Sequence, residues 1–125
     1  MKIIEFAFIG FPVTDLKRAR HFYENVLGFQ RQAQPDDDKA QWFEYEIGPH
    51  TLGIGQSPAM KPSSDGATLA LEVDDFDAFI GRLRENEVQF VVDPKQFPAC
   101  RMAMILDTEG NKLCIHKRNA SPAGN

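Results

Sequence analysis

Residues Phe6 to Phe29 read FAFIGFPVTDLKRARHFYENVLGF, and two periodicities meet inside that stretch. The run from Ile3 to Val13, IIEFAFIGFPV, is rich in β-branched and aromatic residues, which suit a pleated and largely buried strand. Pro12, near its end, implies an edge or terminal position. From Leu16 the period changes, and Leu16, Ala19, Phe22, Tyr23, Val26 and Leu27 recur at spacings of three and four. That is the apolar stripe of a helix, which Thr14 can cap and Gly28 can end.

Beyond Gly28, three further strands are predicted over Phe29 to Gln34, Gln41 to Ile47 and Thr51 to Gln56. The acidic loop PDDDKA and a tight turn of Gly48, Pro49 and His50 separate them. The order is βαβββ. Ser57 to Gly66, SPAMKPSSDG, has no periodicity and reads as a linker. The pattern then restarts with a strand over Ala67 to Val73, a cap at Asp74 and a helix with Phe76, Phe79, Ile80 and Leu83 along one face. Val88 to Val92, Arg101 to Leu106 and Lys112 to Lys117 supply three more strands, with DTEGN as the last turn.

Internal repetition is visible in a single sequence. A shift of 60 positions takes Val13 to Val73, Asp15 to Asp75, Leu16 to Phe76 and Ala19 to Phe79, and a shift of 61 takes Leu52, Gly53 and Ile54 to Leu113, Cys114 and Ile115. The expected architecture is one α+β domain over 1–125, built of tandem βαβββ modules over about 1–56 and 67–118. The linker covers about 57–66, and 119–125 is expected to be a disordered tail. The sheets would form a curved, half-open mixed sheet around a shared cavity, the natural place for a ligand.

Composition narrows the function. The chain has 125 residues, 42% of them hydrophobic and 26% charged, with a formal net charge of -4. Those values fit a globular protein with a real core, and with no basic block they argue against nucleic-acid or anionic-membrane partners. No apolar stretch is long enough to cross a bilayer, and the opening MKIIEFAFIG lacks the features of a secretory signal, so a cytoplasmic location is expected. The two cysteines, Cys100 and Cys114, form no CxxC pair and are expected to be reduced thiols.

Three segments carry a family resemblance. FAFIGFPVTDLKRARHFYENVLGF resembles the opening strand and helix of the vicinal oxygen chelate superfamily, which includes glyoxalases, bleomycin-resistance proteins and extradiol dioxygenases. LALEVDDFDAFIGRLRENEV is similar to its second opening, and DTEGNKLCIHK to its closing turn and strand. The resemblance implies that four positions in the first and last strands of the two modules would hold a divalent ion in metal-dependent members. Carried onto this chain they are Phe8, Gly53, Thr68 and Cys114, and the internal repeat independently pairs Phe8 with Thr68 and Gly53 with Cys114. Phe8 and Gly53 offer no donor, Thr68 only a neutral hydroxyl, and Cys114 alone binds tightly as a thiolate. Neither a metal nor another cofactor is therefore expected.

Other residues admit two readings each. Cys114 and His116 lie two apart, so strand alternation turns both to one face. They are the candidate catalytic pair, set against a buried Cys packing as a small hydrophobe and an exposed strand-end His. His21 reads as a solvated helix residue, and His50 as part of a turn. Asp107, Glu109, Gly110 and Asn111 read as turn residues. Trp42 alternates with Glu44 and Glu46, and it is a candidate lining for a ligand cavity as well as a candidate core residue. Arg101 opens a strand and can meet an anionic group or simply be solvated.

The expected function is metal-independent binding of a small molecule in an aromatic-lined cavity, with Phe8, Trp42, Gly53, Thr68, Arg101 and Cys114 as candidate ligand-binding residues. The rivals are a glyoxalase-like lyase, isomerase or dioxygenase-like enzyme with a non-standard site, and a non-catalytic interaction module. The resemblance also implies a homodimer.

Overall fold

Two sheets of the same topology organise the chain. The structure, a computed structural model, describes residues 1–31 and 39–119. Contacts divide the chain into two compact units, Met1–Pro62 and Ser63–Asn125. In the first, β1 (Ile9–Pro12), β2 (Gln30–Arg31), β3 (Trp42–Ile47) and β4 (His50–Gly55) lie in the order β1-β4-β3-β2. In the second, β5 (Leu69–Glu72), β6 (Phe90–Gln96), β7 (Cys100–Leu106) and β8 (Lys112–Arg118) lie in the order β5-β8-β7-β6. The outer strand is parallel in each, β1 to β4 and β5 to β8, and the remaining pairs are antiparallel. A helix follows each outer strand, α1 (Leu16–His21) continuing as a π-helical segment (Phe22–Val26), and α2 (Phe76–Glu85).

The repeat extends to individual hydrogen bonds. Gly10 stands beside Gly53, and Ala70 beside Cys114. Val13 donates its N–H to the Gly55 carbonyl at 2.8 Å, and Val73 to that of His116 at 2.9 Å. Asp15 caps α1 by accepting from the Arg18 N–H, and Asp75 caps α2 by accepting from that of Ala78, both at 3.1 Å. The caps thus fall one residue later than Thr14 and Asp74, because only a side chain at Asp15 or Asp75 reaches the N–H three positions on.

The helices end differently. Past the left-handed Glu87 (φ 56), Val88 donates to Leu83 at 3.0 Å; past the left-handed Gly28 (φ 81), Phe29 reaches back to Tyr23 at 2.9 Å. The first turn encloses one residue more, which the helix absorbs by widening to π geometry.

Each helix buries one sheet face. In the first unit Leu16, Ala19, Phe22, Tyr23 and Val26 meet Phe43, Tyr45, Leu52 and Ile54, all buried. Tyr23, Phe29 and Tyr45 form an aromatic cluster with centroids 5.7 to 6.1 Å apart, and such pairs add about 0.5–1.5 kcal/mol each beyond their buried area. Glu24 accepts from the Tyr45 hydroxyl and from Arg20 Nε, both at 2.9 Å. Burial first, then the bond and charge of Glu24, hold the Tyr45 hydroxyl well above the ordinary tyrosine range. In the second unit Phe76, Ile80 and Leu83 are buried, as are Ala103, Ile105, Leu113 and Ile115.

Some element bounds depart from the sequence expectations. The first strand starts at Ile9 rather than Ile3, since in its register with β4 (Ile9 beside Leu52) the residues before Ala7 run past the Gly48–Pro49 turn and have no strand to pair with. His50 is the first residue of β4, opposite Ile47, rather than part of that turn. β6 runs on to Gln96 through two register irregularities, and Pro94 is tolerated because β6 is an edge strand. Half of the strand expected over Phe29 to Gln34, most of the PDDDKA loop and the tail beyond Asn119 lie outside the described residues.

Candidate functional site

On the far side of the first sheet from α1, alternation brings Trp42, Glu44 and Glu46 of β3 into register with Gly55, Gly53 and Thr51 of β4. Gly10 and Pro12 of β1 complete the rows. The Trp42 indole lies across this glycine floor. A Cβ built on Gly53 would fall inside the indole, one on Gly55 would be 2.5 Å from Trp42 Cε3, and one on Gly10 would be 3.2 Å from Trp42 Cη2. Real Cβ atoms do not approach that closely, so at Gly53 and Gly55 a side chain and this seat for the ring exclude each other.

Two neighbours hold the ring. The indole N–H donates to Glu44 Oε2 at 2.8 Å, a charge-assisted bond. Phe8 meets the ring edge-to-face, at 5.3 Å between centroids and 75° between planes. Phe8 itself precedes β1 and is 52% exposed. The arrangement is an aromatic platform with a carboxylate at its edge.

The second sheet presents different chemistry on the same face. Cys114 stands between Ala70 of β5 and Met104 of β7, and His116 between Glu72 and Met102. His116 Nδ1 is 2.6 Å from Glu72 Oε1, and Arg118 N–H donates to Glu72 Oε2 at 2.8 Å. Burial alone would raise the Glu72 carboxyl, but these two partners outweigh it and hold it below the usual range. Cys114 is buried, and burial, then the nearby Cys100, push its thiol up. A raised thiol is less available as the thiolate nucleophile.

Of the candidate residues, the structure brings Phe8, Trp42 and Gly53 together on one face. Cys114 and His116 share a face of the second sheet. Thr68 is exposed just ahead of β5. Arg101 lies on the α2 side of its sheet, its guanidinium 4.5 Å over the Phe76 ring and Nη2 donating to Asp77 at 2.7 Å. Its partner is therefore an acidic residue of its own unit. Asp107 is buried in the last turn, accepting from the N–H groups of Glu109 and Asn111, both at 2.8 Å. Gly10, Gly55 and Glu44 were missed as site residues. Their traces were Glu44 in alternation with Trp42 and Gly55 in alternation with Gly53, whose meaning depends on which residue of β3 stands opposite each glycine.

The model of the Glyoxalase/Bleomycin resistance protein/Dioxygenase superfamily matches residues 5–115. The chain belongs to that superfamily. Among solved structures it is similar to TnmS3, an antibiotic binding protein from Streptomyces sp. CB03234, with 29% identity, a TM-score of 0.77, and coverage of 95% of this chain and 99% of that one. A glyoxalase/bleomycin resistance protein from the same Streptomyces is 30% identical over 86% of this chain and 96% of its own, with a TM-score of 0.70. Fosfomycin resistance protein FosX from Mesorhizobium loti shares the fold at 19% identity, with a TM-score of 0.71 and coverage of 94% and 95%. Comparison with curated proteins gives no match.

The residues present do not fit the superfamily's divalent metal. Phe8 and Gly53 bring no donor atom, and the Trp42 indole fills the space a ligand side chain at Gly53 would need. Thr68 and Cys114 together make a poor set for a divalent ion. Among the described residues, no group of three His, Cys, Asp or Glu is placed to hold a metal.

Proposed function

We propose that this protein binds a flat, aromatic small molecule without a metal, the ligand stacking on Trp42. The observation that carries the reading is the indole laid over Gly10, Gly53 and Gly55 and pinned by Glu44. A ring fixed in this way has lost its conformational freedom before the ligand arrives, which lowers the cost of binding. The similarity to an antibiotic binding protein supports a drug-like ligand. The raised Cys114 thiol does not favour a nucleophilic enzyme.

Because Trp42 is the only tryptophan, its emission reports the site directly. Titration with planar tricyclic compounds should quench it in step with a rise in melting temperature, and Trp42→Ala should abolish that rise. If no planar compound shifts either signal, the reading fails.

Pairing with a second copy belongs to the same proposal. Ile3, Ile4, Phe6 and Phe8 are large apolar residues of the N-terminal arm, between 52% and 93% exposed, and contiguous apolar surface favours association. Sedimentation that gave a monomer at micromolar concentration would remove this part.

A further inference from the structure

Charge is segregated across the first sheet. Arg20 lies over the Phe43 ring at 4.2 Å and Arg31 at 5.8 Å, both on the side that faces α1. On the Trp42 side, the register brings together Phe8, Gly10 and Pro12 along β1, Thr51, Gly53 and Gly55 on β4, Trp42, Glu44 and Glu46 on β3, and Gln30 on β2. The ionisable residues at those positions are two glutamates. His50, opposite Ile47, belongs to the α1 side.

We infer that the platform selects a cationic aromatic ligand, a planar ring system carrying a protonated amine or a delocalised positive charge. This rests on the stacking reading above and adds the charge of the ligand to it. Three physical terms point the same way. The face of an indole is the negative end of its quadrupole and attracts a cation. A carboxylate has about four lone-pair sites, so Glu44 keeps acceptor capacity after taking the Trp42 N–H. Glu46, two residues on, stands on the same face, while the arginines over Phe43 lie on the opposite one. An anionic ligand here would meet repulsion, and none of the register positions on this face holds a basic residue to offset it.

The test uses two planar tricycles of nearly the same shape, 9-aminoacridine, a cation at neutral pH, and acridone, which is uncharged. Binding to the full chain is followed by Trp42 emission and by calorimetry. The expected result is about tenfold tighter binding of 9-aminoacridine than of acridone at low salt, a preference that shrinks as salt is added. Glu44→Gln keeps an acceptor for the indole N–H while removing the charge, so it should cut the preference for 9-aminoacridine over acridone about tenfold, whatever it does to stacking itself. Acridone binding as tightly as 9-aminoacridine, or a preference for the cation that Glu44→Gln leaves unchanged, would overturn the charge inference and leave stacking standing. Binding of neither compound would overturn both.

Discussion

Gly53 and Cys114 hold the same place in two sheets of the same topology, yet their surroundings have diverged. In the first unit Trp42 faces Gly55 and Glu44 faces Gly53; in the second Met102 faces His116 and Met104 faces Cys114. Gly10 answers to Ala70. The first face has one large rigid ring on a floor without side chains, and the second a row of medium-sized polarisable groups, each filling its own place. A sheet accepts a ring lying flat along it only where several successive partners are glycine. The backbone topology occurs twice, and three glycines against one tryptophan make a platform of the first sheet's face alone.

The largest expected effect comes from removing that floor. Gly53→Val should force the indole out, red-shift its emission, abolish binding of planar ligands and cost about 2–3 kcal/mol of stability. The mirror-image change, Cys114→Gly, should leave Trp42 emission untouched. Unaltered emission in Gly53→Val would mean that the floor does not seat the ring.

Next in size is a test on the buried faces, where Tyr45 and Ile105 hold matching positions, opposite Leu52 and Leu113. Tyr45→Phe should cost about 1–2 kcal/mol at neutral pH, because Glu24 loses a donor. The hydroxyl's raised value gives the pH dependence its sign. Its contribution is complete below about pH 10, the ordinary tyrosine value. It declines as pH rises further, because the unfolded chain ionises there while the folded one stays protonated. Denaturant melts should therefore show wild type losing stability above pH 10 more steeply than Tyr45→Phe, and parallel curves would refute the linkage.

The smallest effect should be equal in both units. Asp15→Ala and Asp75→Ala each remove a side-chain cap at the same point of the repeat, and each should cost about 1 kcal/mol. Clearly unequal values would show that the two helix starts, alike in geometry, carry different weight in folding.

Several features were legible from residues alone because they depend on neighbours in sequence. The strand-to-helix change at Leu16, the left-handed Gly28 and the Asp15–Asp75 repeat needed only local spacing. Other features depend on which strand ends where. The first strand cannot reach back to Ile3 because β4 begins at His50, which the register sets beside Ala7, and Arg101 turns to Asp77 because α2 packs on that face of the sheet. The extra residue in the first helix appears as a π turn only when its closing bond is compared with that of α2.

Taken by itself, the sequence determined two βαβββ modules and the absence of metal donors at Phe8 and Gly53, since periodicity and donor chemistry belong to individual residues. Only the tertiary structure decided that Trp42 belongs over Gly53 and Gly55. Cross-strand register sets which residues share a row, and no residue carries that information without its partner strand.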